Sequence, residues 1–389
     1  MDSYKLYSSL PPGGWEKNRA EINVSALVRN RERLMKNLNK EHPYTKDICV
    51  VKADAYGHGV AHCAPALARS GCRFFAVSCI EEARALRRIL IDEALDAKIL
   101  ILGYTPPSSA DKLAENDLIQ CVFSYEYALA LSESATRPID VHIKIDTGMN
   151  RIGFACDEDG ANQAAAVFTL ENLRVCGAFT HFSRADEETP EGDAFTRLQY
   201  ERFAFVIERL LLFGCDPGFL HVCNSAAAIR FPEFALDGVR LGIALYGAGS
   251  LSPDGKPLEP VMSLFSTITH IHTLRSGESL GYGAAYTAIN DRTVATLPIG
   301  YADGFIRAYS GAFVEVETAE GYKKARIVGR ICMDQCMIDI TGLSARVGAS
   351  VRIFGKEHSD IKALADLAGT IDYECLCTVS ARVPRVMTC

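Results

Sequence analysis

ICVVKADAYGHGVAHCAPALARSGCRFFAVSCIEEARALRRILIDEALDAKILILG, residues 48–103, is the stretch that decides the fold. Three short apolar runs, Ile48–Lys52, Phe74–Ser78 and Lys98–Gly103, are separated by longer segments whose apolar residues recur at helical spacing, as in Ile80–Leu90. Strands that alternate with helices imply parallel βα units. The pattern continues outward through Ile119–Ser124, Val141–Asp146, Val175–Phe182, Phe219–Asn224 and Gly238–Gly242, with Leu198–Leu212 as a further helical segment. Eight such units are what a (β/α)8 TIM barrel requires. Periodicity does not show closure, so a doubly wound open sheet remains an alternative at this point.

Beyond Gly247 the period changes. Pro260–Leu274, Arg292–Ile299, Phe313–Glu317, Lys324–Val328, Met337–Ile340 and Val351–Phe354 read as strands with Gly, Asp and Asn turns between them, and helical periods nearly vanish. This predicts an α/β chain with a flexible extension over 1–15, a TIM barrel over 16–250 and a mostly antiparallel β domain over 251–389. The run Arg19–Val24 reads as one more strand, suited to pairing with the second domain. The length of 389 residues agrees with two or three domains.

With 41 Lys+Arg against 48 Asp+Glu the chain carries a formal net charge of −7, the wrong sign for a nucleic-acid binder. No run approaches the ~20 apolar residues that span a bilayer, so no membrane contact is expected of the chain as given. The fourteen cysteines are few for this length and mostly sit in apolar runs, which reads as free thiols of a cytoplasmic protein. Small-molecule chemistry is the class that remains.

In such a barrel, function gathers at the C-terminal ends of the strands. Those positions hold Lys52, Lys144 with Asp146, His181, Asn224 with Ser225, and Arg240 with Gly242. A lysine ending the apolar run ICVVK is suited to a lowered pKa and a Schiff base with a carbonyl; an ammonium simply reaching the rim is the plain alternative. The ends of runs seven and eight offer a hydroxyl and a glycine where barrel phosphate sites are usually built. A Schiff-base lysine facing a phosphate cradle suggests pyridoxal 5'-phosphate.

VVKADAYGHG (Val50–Gly59) resembles the cofactor-lysine signature of the alanine racemase family. The resemblance continues in order through KIDTGMNRIGF (Lys144–Phe154), THFSRAD (Thr180–Asp186), CNSAA (Cys223–Ala227), VRLGIALYG (Val239–Gly247), GYGAAYTA (Gly281–Ala288), PIGYADGF (Pro298–Phe305), GRICMDQCMID (Gly329–Asp339) and SARVPR (Ser380–Arg385). It implies racemisation of a small amino acid, L-alanine to D-alanine for peptidoglycan, by a head-to-tail homodimer with shared active sites. It also implies residue roles. Lys52 holds the cofactor and is one base, and Tyr282, supplied across the dimer, is the other. Arg240 faces the pyridine nitrogen, His181 packs on the ring and His221 bonds Arg240. Tyr56, Asn224, Ser225, Gly242 and Ile243 belong to the cofactor site, and Arg151 and Met333 to the substrate carboxylate. Lys144 and Asp334 are supporting residues, and Lys144 is carbamylated in many relatives.

One position departs from the family pattern. Ala381 stands where alanine racemases carry tyrosine, and where serine racemases of the glycopeptide-resistance membrane type carry another residue. The space it leaves raises an alternative, a serine or dual alanine/serine racemase cut from a membrane protein.

Overall fold

The computed structural model describes residues 17–249, 253–355 and 358–388; the expected extension over 1–15 lies outside them. After strand β1 (Arg19–Asn23) come β2 (Lys46–Val50), β3 (Phe74–Val77), β4 (Lys98–Ile101), β5 (Ile119–Val122), β6 (Ile139–Asp146), a two-residue β7 (Phe154–Ala155), β8 (Leu173–Phe179), β9 (Phe219–His221) and β10 (Gly238–Leu241). The strands β2-β3-β4-β5-β6-β8-β9-β10 pair in parallel, and β10 returns to β2, so the sheet closes on itself. The eight strands of the alternating pattern form this barrel, and the open-sheet alternative falls away. Strands β3, β5 and β10 are buried along their whole length, as expected of a parallel sheet covered by helices.

The second sheet is antiparallel apart from one edge. It comprises β11 (Met262–Thr267), β12 (His270–Leu274), β15 (Arg292–Leu297), β16 (Phe313–Thr318), β17 (Gly321–Val328), β18 (Cys336–Asp339), β19 (Ser350–Phe354) and β20 (Arg385–Thr388), while β13 (Ser279–Leu280) and β14 (Tyr286–Thr287) form a separate small ribbon. As the sequence suggests, β1 belongs to this sheet, between β11 and β20. Two expectations need correction. The run Pro260–Leu274 is two strands, and helical structure persists near the C-terminus as His358–Ala368 and Asp372–Cys377. The second of these helices lies against the barrel turn that carries Lys52, so its job is tertiary.

Every described cysteine is free. No helix among the described residues is long and apolar enough to cross a membrane.

The chain leaves the barrel through Gly247, at φ 71°, where an added Cβ would stand 1.8 Å from the Glu259 carbonyl oxygen. Neither the backbone angle nor the space admits a side chain. Gly247→Ala is expected to destabilise the protein by about 2 kcal/mol or more, read as a lowered urea midpoint; an unchanged midpoint would show that this junction relaxes freely.

Candidate functional site

Strand β2 stops at Val50, not at Lys52. The chain then enters a turn in which Ala53, Asp54, Ala55 and Tyr56 all have φ between 51° and 56°. This region costs an L-residue roughly 1–2 kcal/mol, so four in succession must be held by their surroundings. Within the turn, Ala55 N–H donates to Val51 O (2.9 Å) and Gly57 N–H to Ala53 O (2.9 Å). From outside, the Glu82 carboxylate accepts from Ala53 N–H (2.7 Å) and from Ser78 N–H (2.8 Å). Asp54 accepts from Val60 N–H (2.7 Å), and Arg385 of the second domain donates to Gly57 O (2.9 Å). The result is a half-buried Lys52 whose ammonium is disfavoured, first by burial and then by Arg151.

Tyr56 ends the turn beside Gly242. A Cβ on Gly242 would lie 2.7 Å from the Tyr56 hydroxyl, and Gly242 N–H donates to Ser225 Oγ (2.8 Å). Ile243 follows, buried, in the short helical turn Ile243–Tyr246. Asn224 caps the helix Ser225–Arg230 by accepting from Ala227 N–H (2.9 Å) and donates to Phe182 O (3.2 Å). Its side chain is therefore committed to building the cradle.

Arg240 is fully enclosed. Its Nη1 donates to His221 Nδ1 (2.8 Å) and His221 O (2.8 Å), and its Nη2 to Thr180 O (2.6 Å), Val222 O (2.9 Å) and His181 Nδ1 (3.3 Å). Burial lowers its pKa to about 10, so it stays cationic. Burial and then Arg240 hold both His181 and His221 well below the usual imidazole value. Lys144 is buried too, donates to Ile145 O (3.0 Å), and has its pKa pushed down to about 8, mainly by desolvation. Arg151 is exposed on the loop after β6, where Asp146 accepts from the backbone N–H groups of Gly148, Asn150 and Arg151 at 2.9–3.0 Å.

The structure thus brings together Lys52, Tyr56, Lys144, Arg151, His181, Asn224, Ser225, Arg240, Gly242 and Ile243 at one end of the barrel. His221 lies just beneath Arg240. The remaining expected residues stand on the second domain. Tyr282 is 72% exposed and Met333 54%. Asp334 pairs with Arg382 (2.9 Å), and Ala381 is exposed beside that arginine. Glu82, Asp54 and Arg385, which shape the lysine turn, escaped the sequence reading. Asp54 had a usable signal, because aspartate tolerates the left-handed region better than most residues.

A phosphate ester with an aromatic ring suits this donor set. The Gly242 N–H, Ser225 Oγ and the Tyr56 hydroxyl lie together where glycine leaves no Cβ in the way, and Lys52, Lys144, Arg151 and Arg240 supply only positive charge. The nearby carboxylates of Glu82 and Asp146 are engaged by backbone N–H groups.

Known proteins match most of the chain. Residues 22–250 match the family described as "Alanine racemase, N-terminal domain" and residues 261–387 "Alanine racemase, C-terminal domain". The chain is 39% identical over 379 residues to the alanine racemase of Clostridium novyi, covering 94% of each. Among solved structures, alanine racemase of Clostridium difficile 630 superposes with a TM-score of 0.86 at 37% identity, covering 96% of each chain. The alanine racemase of Bacillus anthracis with bound L-Ala-P gives 0.86 at 31%, covering 97% and 96%. With both domains matched in order, the chain belongs to the alanine racemase family and is an amino-acid racemase.

Proposed function

We propose that this protein interconverts L- and D-alanine with pyridoxal 5'-phosphate, supplying D-alanine for peptidoglycan, as a head-to-tail homodimer. The observation that carries the proposal is the half-buried, charge-disfavoured Lys52 beside the Tyr56–Ser225–Gly242 cradle. When bound, the cofactor supplies the electron sink that makes the substrate Cα–H acidic. Serine as the main substrate is not favoured, because the relatives carry alanine racemase names over more than nine-tenths of both lengths.

The residues of this chain do the rest. Ser225 Oγ, the Gly242 and Ile243 N–H groups and Tyr56 Oη would hold the phosphate of the cofactor. The five hydrogen bonds of Arg240 leave its Nε–H as the one donor not engaged by a described residue, and this is the group that would be offered to the ring nitrogen. A guanidinium does not give up its proton at neutral pH, so it would leave that nitrogen without one. Lys52 Nζ, its ammonium destabilised by burial, takes or returns the α-proton on one face. Tyr282 of the partner subunit does so on the other, and its exposure here suits a residue that completes a neighbour's site. Arg151 and the Met333 backbone receive the substrate carboxylate, while Asp334 holds Arg382 at the entrance.

Lys52→Ala is expected to lose covalent trapping of the cofactor by borohydride and to lower alanine racemisation by about 10³-fold. Activity indifferent to Lys52 would refute the assignment.

Among the described residues no carboxylate forms an ion pair with Lys144, and deprotonation near pH 8 leaves a neutral amine able to add CO2, release a proton and thereby gain the negative charge that Arg151 would pair with. Protein equilibrated with 13C-bicarbonate should show a carbamate resonance that grows from pH 7 to pH 9 and is missing in Lys144→Ala. A spectrum without that resonance at pH 9 would mean a plain amine.

Ala381 sets the room at the entrance. We expect serine to be racemised with kcat/KM within about a thousandfold of alanine, since an added hydroxyl is hard to reject, and Ala381→Tyr to cut serine turnover more than alanine turnover. Equal effects on both substrates would remove position 381 from specificity.

A further inference from the structure

Below Arg240 the hydrogen bonds continue in a direction that the racemase chemistry does not by itself require. His221 Nε2 lies 3.0 Å from Nδ1 of His142, a residue of β6 that is only 1% exposed. The polarity of the series follows from Arg240 alone. A guanidinium can only donate, so His221 Nδ1 accepts and that ring carries its proton on Nε2. His221 Nε2–H must then donate to His142 Nδ1, which leaves His142 neutral with its own proton on Nε2. Two imidazoles are thus fixed in one tautomer by geometry.

The packing holds both rings in place. Gly177 of β8 lies flat under His142, where an added Cβ would come within 2.4 Å of the ring, and Phe74 meets it edge-on at 6.0 Å. Phe179 stacks on His221 at 4.7 Å with an interplanar angle of 8°. Charges facing His142 are Lys98 of β4 and Arg240 of β10, both of which oppose a second proton on it.

We propose that His142 is a positioning residue: by accepting the His221 Nε2 proton it locks the tautomer that presents a lone pair to Arg240, and so aims the guanidinium into the site. Without that acceptor, the His221 N–H would be stranded among apolar side chains, and ring flip or tautomer exchange would relieve it at the expense of the Arg240 contact. The consequence for rate rests on the racemase reading. The tautomers and the hydrogen bond do not.

The experiment has two arms. In 15N NMR of the wild-type protein, both His142 and His221 should show a protonated Nε2 and a bare Nδ1, with a scalar coupling between His221 Nε2 and His142 Nδ1 across the hydrogen bond. A protonated Nδ1 in either ring, or no coupling, overturns the proposal whatever the enzyme does. In the second arm, His142→Leu should lower kcat about tenfold, equivalent to about 1.4 kcal/mol, with KM for alanine within about twofold. His142→Asn, whose Oδ1 occupies the place of Nδ1, should restore most of the rate. Wild-type kcat in His142→Leu, or equal loss in both variants with the fold retained, reduces the pair to core packing and overturns the proposal. A wild-type protein that leaves alanine unchanged refutes the racemase reading instead, and the nitrogen spectra still decide the relay.

Discussion

A guanidinium buried beneath the barrel rim is the constraint on which this structure turns. Burying an unpaired charge costs several kcal/mol, and Arg240 is 3% exposed. It is tolerated because the two neighbouring barrel strands end in acceptors aimed at it: Thr180 and His181 after β8, His221 and Val222 in and after β9. Those five contacts also fix where the strand ends stand relative to one another. The hydrogen bonds that satisfy the charge thereby set the geometry of the cavity floor, and stability and function share the same atoms.

The electrostatic character of the site follows. Lys52, Lys144, Arg151 and Arg240 gather with no carboxylate of the described residues paired to any of them, and Glu82 and Asp146 are engaged by backbone N–H groups. Like charges at close range push the lysines toward neutrality, adding to what burial does alone. The cavity is therefore prepared for anions and for amines that exchange protons.

The barrel was legible because its β runs are rich in apolar residues and helices such as Ile80–Asp92 carry a 3.6-residue apolar stripe, both local signals. Lys52, Arg240 and Ser225 were legible for a related reason, since polar groups at the ends of apolar strands stand out. What stayed hidden depends on contacts distant in sequence. His142 reads as an ordinary strand residue until β6 and β9 are placed together, 79 positions apart. The two C-terminal helices are short and were masked by the strand pattern around them. Lys52 reads as the end of a strand because only Asp54 in ICVVKADAY hints at a left-handed turn; the alanines on either side are helix formers of the opposite hand.

That turn has a consequence for the life of the chain before it is an enzyme. Ala53 through Tyr56 would not adopt positive φ in a free peptide, and the restraints come from Glu82, from Asp54 reaching Val60, and from Arg385 four residues short of the end of the sequence. The farthest of these restraints lies 328 positions from Gly57, so the turn is complete only once both domains have folded. In an unfolded or half-folded chain Lys52 is hydrated like any other lysine, and its disfavoured ammonium is a property of the assembled fold.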